Sequence, residues 1–183
     1  MKIILIGIQG SGKSTQGELL QKKLQVPFLA TGQIFRTMVK EDNPTAEYIK
    51  KIMYAGELIP DEKVLEIISD YLTRPEYKSG YIIDGFPRTV KQAEAFADTI
   101  DAVIYLNVSD KEALHRISLR NDQARKDETT EAIQRRIELF HQETEPVIEY
   151  YRGKNKLIEV DGEQTIEQIQ QAITQKLSEV KHG

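Results

Sequence analysis

Short apolar runs punctuate the chain: "IILI" (3–6), "VPFLA" (26–30), "YIID" (81–84), "AVIYLNV" (102–108) and "KLIEV" (156–160). They are apolar at nearly every position rather than at alternate ones, the pattern of strands covered on both faces. Polar stretches with apolar residues at helical spacing lie between them. "KSTQGELLQKKL" sets Leu19, Leu20 and Leu24 along one helical face, and "DEKVLEIISDYL" and "TIEQIQQAITQKL" read the same way. Strands alternating with helices imply right-handed crossovers. The prediction is an α/β fold, a five-stranded parallel sheet flanked by helices, with a ligand crevice at the carboxyl ends of the strands.

Two segments exceed this alternation. Residues 31–60 hold more helix than one crossover needs, and "NPTAEYIKKIMYAGELIPDE" reads as a helix with Pro44 near its start and Gly56 after its end. "RNDQARKDET" (120–129) is a polar loop between two helices. Both fall where a lid or a second-substrate clamp would sit, or are ordinary surface embellishments.

The first strand runs directly into "GIQGSGKST", which fits the phosphate-loop pattern G-x-x-x-x-G-K-[ST]. Glycines at Gly7, Gly10 and Gly12 let successive backbone N–H groups converge on phosphate oxygens. Lys13 adds a point charge for the β- and γ-phosphates, the Ser14 hydroxyl can ligate Mg²⁺, and the following helix presents its N-terminus to phosphate. The third run ends in "DGFPRT" (84–89). Asp84, at a strand end beside the loop, is placed to order Mg²⁺ and its waters, or else to cap the next helix. Phe86-Pro87 makes a rigid turn in which a cis bond is allowed.

Composition narrows the class. One domain's worth of chain, 183 residues, carries a net charge of −4, which argues against a nucleic-acid partner. Cysteine is absent, so disulfides and thiolate zinc sites are excluded. The longest apolar stretch is too short to span a membrane and continues into the phosphate loop, so no membrane association and no signal peptide are expected. A cytoplasmic protein follows. Of nine arginines, Arg36, Arg88, Arg116, Arg120, Arg125 and Arg136 fall in or beside crevice elements, whereas Arg74, Arg135 and Arg152 read as solvated. Such a concentration suits phosphoryl transfer between two phosphate-bearing substrates. His115, His141 and His182 are scattered and form no ligand set.

"GIQGSGKSTQ", "LATGQIFR", "AGELIPDE", "DGFPRT", "LHRISLR" and "ARKDETTEAIQRRIELFHQETEPVIEYY" occur in the order found in adenylate kinases, and the chain resembles that family over nearly its whole length. The resemblance implies a P-loop kinase, usually a monomer, that carries out Mg·ATP + AMP ⇌ 2 ADP. Gly10, Ser11, Gly12, Lys13, Ser14 and Thr15 would hold the ATP phosphates. Thr31, Gly32, Arg36, Glu57, Leu58, Ile59, Gly85, Arg88 and Gln92 would hold AMP. Arg120, Arg125 and Arg136 would clamp the transferring group, with Arg125 and Arg136 also reaching AMP. Arg116 and Gln164 would meet the ATP adenine, and Asp84 would act on the metal through water. Residues 31–60 become an AMP-binding subdomain, 121–127 a short lid without structural zinc, and 1–30, 61–120 and 128–183 the core.

The chain departs from the family where Gln9, Ser14 and Gln33 replace the common proline, glycine and aspartate. Ser14 and Gln33 bear on the metal, and the expectation is that Ser14 ligates it directly and offsets Gln33. A UMP/CMP kinase of the same fold and a non-catalytic nucleotide sensor are the competing readings. Thr31-Gly32 and Thr89 favour AMP over pyrimidines, and retention of Lys13, Asp84 and the arginines favours catalysis.

Overall fold

The computed structural model describes residues 1–96, 99–119 and 129–180. Five strands, β1 (Lys2–Ile6), β2 (Phe28–Ala30), β3 (Tyr81–Asp84), β4 (Ala102–Asn107) and β5 (Leu157–Asp161), form one sheet in the order β2-β3-β1-β4-β5. Every pairing is parallel, and Ile4 of β1 faces Ile83 of β3 on one side and Val103 of β4 on the other. β1 is central. The chain leaves it toward β2 and β3 on one side and returns to β4 and β5 on the other, which opens a crevice at its carboxyl end.

The pleat sorts the apolar runs onto two cores. Ile4, Ile6, Tyr81, Ile83 and Val103 join one buried cluster, while Ile3, Leu5, Ile82, Ala102 and Ile104 join the other. Successive residues in a strand point to opposite faces, so a run that is apolar throughout fills both cores at once. Each fully buried Ile or Leu contributes about 1.5–3 kcal/mol of hydrophobic stabilisation.

Nine α-helices cover the faces among the described residues: α1 (Lys13–Leu24), α2 (Thr31–Met38), α3 (Pro44–Tyr54), α4 (Asp61–Thr73), α5 (Val90–Ala95), α6 (Asp110–Ser118), α7 (Thr130–Leu139), α8 (Glu145–Gly153) and α9 (Ile166–Val180). Local chemistry sets their starts. Asn43 accepts from the Ala46 N–H at 2.8 Å with Pro44 in the first turn of α3, and Thr89, Ser109 and Thr129 cap α5, α6 and α7 in the same way. The predicted second strand is shorter than its apolar run. Pro27 has no N–H for the ladder, though its carbonyl still accepts from Ile82 N at 2.9 Å.

Between α7 and α8 the helix widens into a π-turn at Phe140–Thr144, where the Glu145 N–H reaches back five residues to the Phe140 carbonyl. Pro146 follows at once. It lacks an N–H and its ring crowds the carbonyl four residues earlier, so an ordinary α-ladder cannot run through this point. The turn aims Phe140 and Thr144 at the crevice, where both line the cavity.

Candidate active site

The loop after β1 is shaped by close approach. Gly10 has φ +95°, and a Cβ there would stand 2.6 Å from the Ala113 carbonyl oxygen of α6, so only glycine fits. The Ser11 N–H donates to the Ile8 carbonyl at 3.1 Å and closes the turn. α1 then starts at Gly12 with no capping side-chain hydrogen bond, which leaves its first N–H groups for an anion. Lys13 Nζ donates to the Gly7 and Ile8 carbonyls at 2.7 and 2.8 Å and holds its ammonium within the loop. Ser14 Oγ donates to Asp84 Oδ2 at 3.2 Å, joining the loop to the end of β3. Asp84 is buried, and its Oδ1 has no hydrogen-bond partner among the described residues.

One cavity unites most of the expected site residues. Gly10, Gly12, Lys13 and Ser14 line it from the loop, Gly32 and Arg36 from α2, Glu57, Leu58 and Ile59 from the segment before α4, and Asp84, Gly85, Arg88 and Gln92 from β3 and α5. Arg136 of α7 completes it. The Phe86-Pro87 bond in this turn is cis. Thr31 is buried behind the lining, its hydroxyl donating to the Asp84 carbonyl at 3.0 Å.

Arg88 is fastened on three sides. Its Nε donates to the Gly85 carbonyl at 2.9 Å, its N–H donates to Gln92 Oε1 at 2.8 Å, and its carbonyl accepts from Thr144 Oγ1 at 2.9 Å. Burial lowers the pKa of its guanidinium, the charges of Arg136 and Arg36 add to that effect, and Asp84 opposes it. Three cations turned on one cavity repel each other, and a phosphate entering among them relieves the repulsion. Arg136 also donates to the Met53 carbonyl at 2.9 Å, tying α7 to α3.

Other expected residues lie elsewhere. Ser11 is fully buried and Thr15 is exposed, and neither lines the cavity. Arg116 Nε pairs with Glu112 Oε1 at 2.7 Å. Gln164 donates to Asp161 Oδ2 at 2.6 Å, which is the main reason the Asp161 carboxyl sits below its usual range. Both stand outside the cavity lining, at the β4 and β5 end of the sheet. Gln33 is exposed and outside the lining, whereas Gln9 lines it. Arg120, Arg125 and the loop 121–127 lie outside the described residues.

Sequence reasoning passed over Asp61 and Thr144, and read Arg135 as solvated. Asp61 Oδ1 accepts from both Gln92 Nε2 and Thr89 Oγ1, Thr144 holds the Arg88 carbonyl, and Arg135 pairs with Glu57 at 2.7 Å. Pro146 inside a helical pattern was the available sign for the π-turn that places Thr144; nothing local marked Asp61 or Arg135.

A glycine-bent loop between a central parallel strand and an uncapped helix, at the switch point of the sheet, defines a P-loop nucleotide-binding protein. The family model for adenylate kinase matches residues 5–156. An adenylate kinase of Parvibaculum lavamentivorans is 38% identical over 180 residues, 92% of this chain and 88% of its own. Those of Rickettsia bellii and Nitrobacter hamburgensis are 36% and 38% identical, covering 97% and 98% of this chain and 99% and 93% of theirs. The chain belongs to the adenylate kinase family.

Proposed function

We propose that the chain transfers the γ-phosphoryl group of ATP to AMP, reversibly and with Mg²⁺, giving two ADP. The observation that carries this reading is the gathering of Arg36, Arg88 and Arg136 on a cavity that Lys13 and Ser14 of the phosphate loop also line. One loop holds one polyphosphate. A second set of cations facing the same cavity suits a second phosphate-bearing substrate, aligned for in-line transfer.

The loop N–H groups of residues 10–15 and Lys13 hold the ATP phosphates, and Arg116 and Gln164 its adenine. Arg36 and Arg88 take the AMP phosphate, while Thr31, Gly32, residues 57–59, Gly85 and Gln92 shape the remaining AMP pocket. Arg136, with Arg120 and Arg125, neutralises charge on the transferring group. The attacking AMP phosphate oxygen is already anionic at neutral pH, so no general base is required, and neither His115 nor His141 lines the cavity. Residues 31–60 act as the AMP-binding subdomain and 121–127 as a lid, excluding water that would otherwise hydrolyse ATP.

Mg²⁺ fits the residues present. The buried Asp84 Oδ1, without a hydrogen-bond partner among the described residues, lies in the same carboxylate that Ser14 Oγ touches, and a carboxylate and a hydroxyl beside substrate phosphates are a usual protein share of such a site. When bound, the ion neutralises phosphate charge. Ser14 would ligate it and Asp84 would hold its waters. Among the described residues no helix is long and apolar enough to cross a membrane. A cytoplasmic monomer is part of this proposal.

A coupled assay of ADP formation tests it. Mg·ATP with AMP should turn over faster than with CMP or UMP at saturating levels of each. Faster turnover of a pyrimidine monophosphate would replace the acceptor, and no ADP with any monophosphate would remove the activity.

A further inference from the structure

Gln92 is 1% exposed, yet it lines the cavity and both ends of its amide are taken. Nε2 donates to Asp61 Oδ1 at 2.8 Å, and Oε1 accepts from the Arg88 N–H at 2.8 Å. A side-chain amide can turn over about its last bond, exchanging oxygen for NH₂ with almost no change of shape. Here it cannot do so without loss. A carboxylate only accepts and a backbone N–H only donates, so each partner demands one end of the amide. Thr89 closes the circuit: its hydroxyl accepts from the Gln92 N–H at 3.1 Å and donates to Asp61 Oδ1 at 3.0 Å. Asp61 opens α4 from outside the cavity lining, so this role is exerted through Gln92.

The amide keeps one N–H and one lone pair for a ligand. A 6-amino purine presents an amino donor beside a ring-nitrogen acceptor. A 6-oxo purine presents a carbonyl acceptor beside a ring N–H donor, the reverse order. An amide free to turn over serves both bases, and one held in place serves one.

We propose that Asp61 is a specificity-positioning residue, whose carboxylate locks the Gln92 amide so that the acceptor site distinguishes 6-amino from 6-oxo purine nucleoside monophosphates. The inference rests on the function proposed above, with Gln92 meeting the acceptor base.

The test is steady-state kinetics with AMP and IMP as acceptors at saturating Mg·ATP, on the unmodified chain, Asp61→Asn, Gln92→Ala and the double variant. Asparagine keeps the shape of aspartate but offers Gln92 Nε2 only a neutral oxygen or, turned over, an NH₂ group, so the Asp61 half of the lock weakens and the Arg88 N–H is left to hold the amide. Asp61→Asn should lower the AMP-over-IMP ratio of kcat/KM on the order of tenfold, the effect of about one hydrogen bond. The change should appear in KM for AMP, with kcat, KM for Mg·ATP and Tm nearly unchanged. In the Gln92→Ala background Asp61→Asn should change the ratio no further. An unchanged ratio in Asp61→Asn, an equal loss toward both acceptors, or the same fall with Gln92 absent would each overturn the lock. If the unmodified chain fails to phosphorylate AMP, the function itself falls and the lock with it, an outcome visible before any variant is measured.

Discussion

Arg88 shows most directly how single residues share the work at the site. Its backbone is held at both N–H and carbonyl and its Nε at Gly85, so the guanidinium is placed before any substrate arrives. Preorganised charge costs no reorganisation at the moment of transfer. Arg88→Ala should lower kcat by on the order of 10² or more while Tm falls only slightly, because the side chain faces a cavity and not a core. A loss below tenfold in a correctly folded variant would remove Arg88 from the clamp. Ser14 carries a second prediction at this scale. With its hydroxyl against Asp84, Ser14→Ala should raise the Mg²⁺ concentration for half-maximal rate several-fold, roughly the value of one lost ligand on a weakly held ion. An unchanged Mg²⁺ titration would leave Ser14 as a partner of Asp84 alone.

Among the elements, the π-turn joining α7 to α8 does two tasks at once. Its inner side brings Phe140 and Thr144 to the cavity; its outer side carries His141. The imidazole Nδ1 faces Glu145 Oε1 at 2.7 Å and Nε2 faces Asp110 at 3.0 Å, so α8 and the start of α6 meet across one ring. Only the imidazolium can donate at both nitrogens. The Glu145 hydrogen bond is the main cause raising the His141 pKa, desolvation opposes it, and Asp110 adds to the rise. A raised folded-state pKa means that the stabilising contribution is complete below the unfolded value of about 6.5 and is lost as pH climbs through the folded value. The Tm advantage of the natural chain over His141→Gln should therefore shrink as pH rises from below about 6.5 into the alkaline range. Thermal melts across that range check it, and an advantage that grows with pH would contradict it. The ring is substantially exposed, so the effect is small and weakens with salt.

At the scale of the whole molecule, residues 31–60 share the core of the sheet: Ile34, Phe35, Ile49, Met53 and Ile59 are buried in the same apolar cluster as Ile4 and Ile83, and the Thr31 hydroxyl donates to the Asp84 carbonyl. Gly56 packs against Ala132 of α7, Arg136 donates to the Met53 carbonyl, and Arg135 pairs with Glu57. The last is an exposed ion pair of small value. Binding of a bisubstrate analogue that joins ATP to AMP should move residues 31–60 while the five strands stay in place. Backbone NMR with and without the analogue checks this; the same chemical shifts for residues 31–60 in both states would exclude closure.

Much was legible from the chain alone, for physical reasons that differ by element. The strands announce themselves because a segment buried on both faces must be apolar throughout, and the phosphate loop does so because its backbone geometry admits few residues besides glycine. Pro44 near the start of α3 and Gly56 after its end mark that helix for the same kind of local reason. All of these are short-range constraints, and a linear sequence states them directly. What only the tertiary structure decided is which distant polar groups meet. Asp61 and Gln92 are far apart in the chain, as are Ser14 and Asp84, or Glu57 and Arg135, and each pair meets only because the parallel sheet brings crossover ends to one edge. A hydrogen bond or an ion pair leaves no periodic trace in the residues between its partners, so these contacts, and with them the orientation of the Gln92 amide and the fastening of Arg88, belong to the folded molecule.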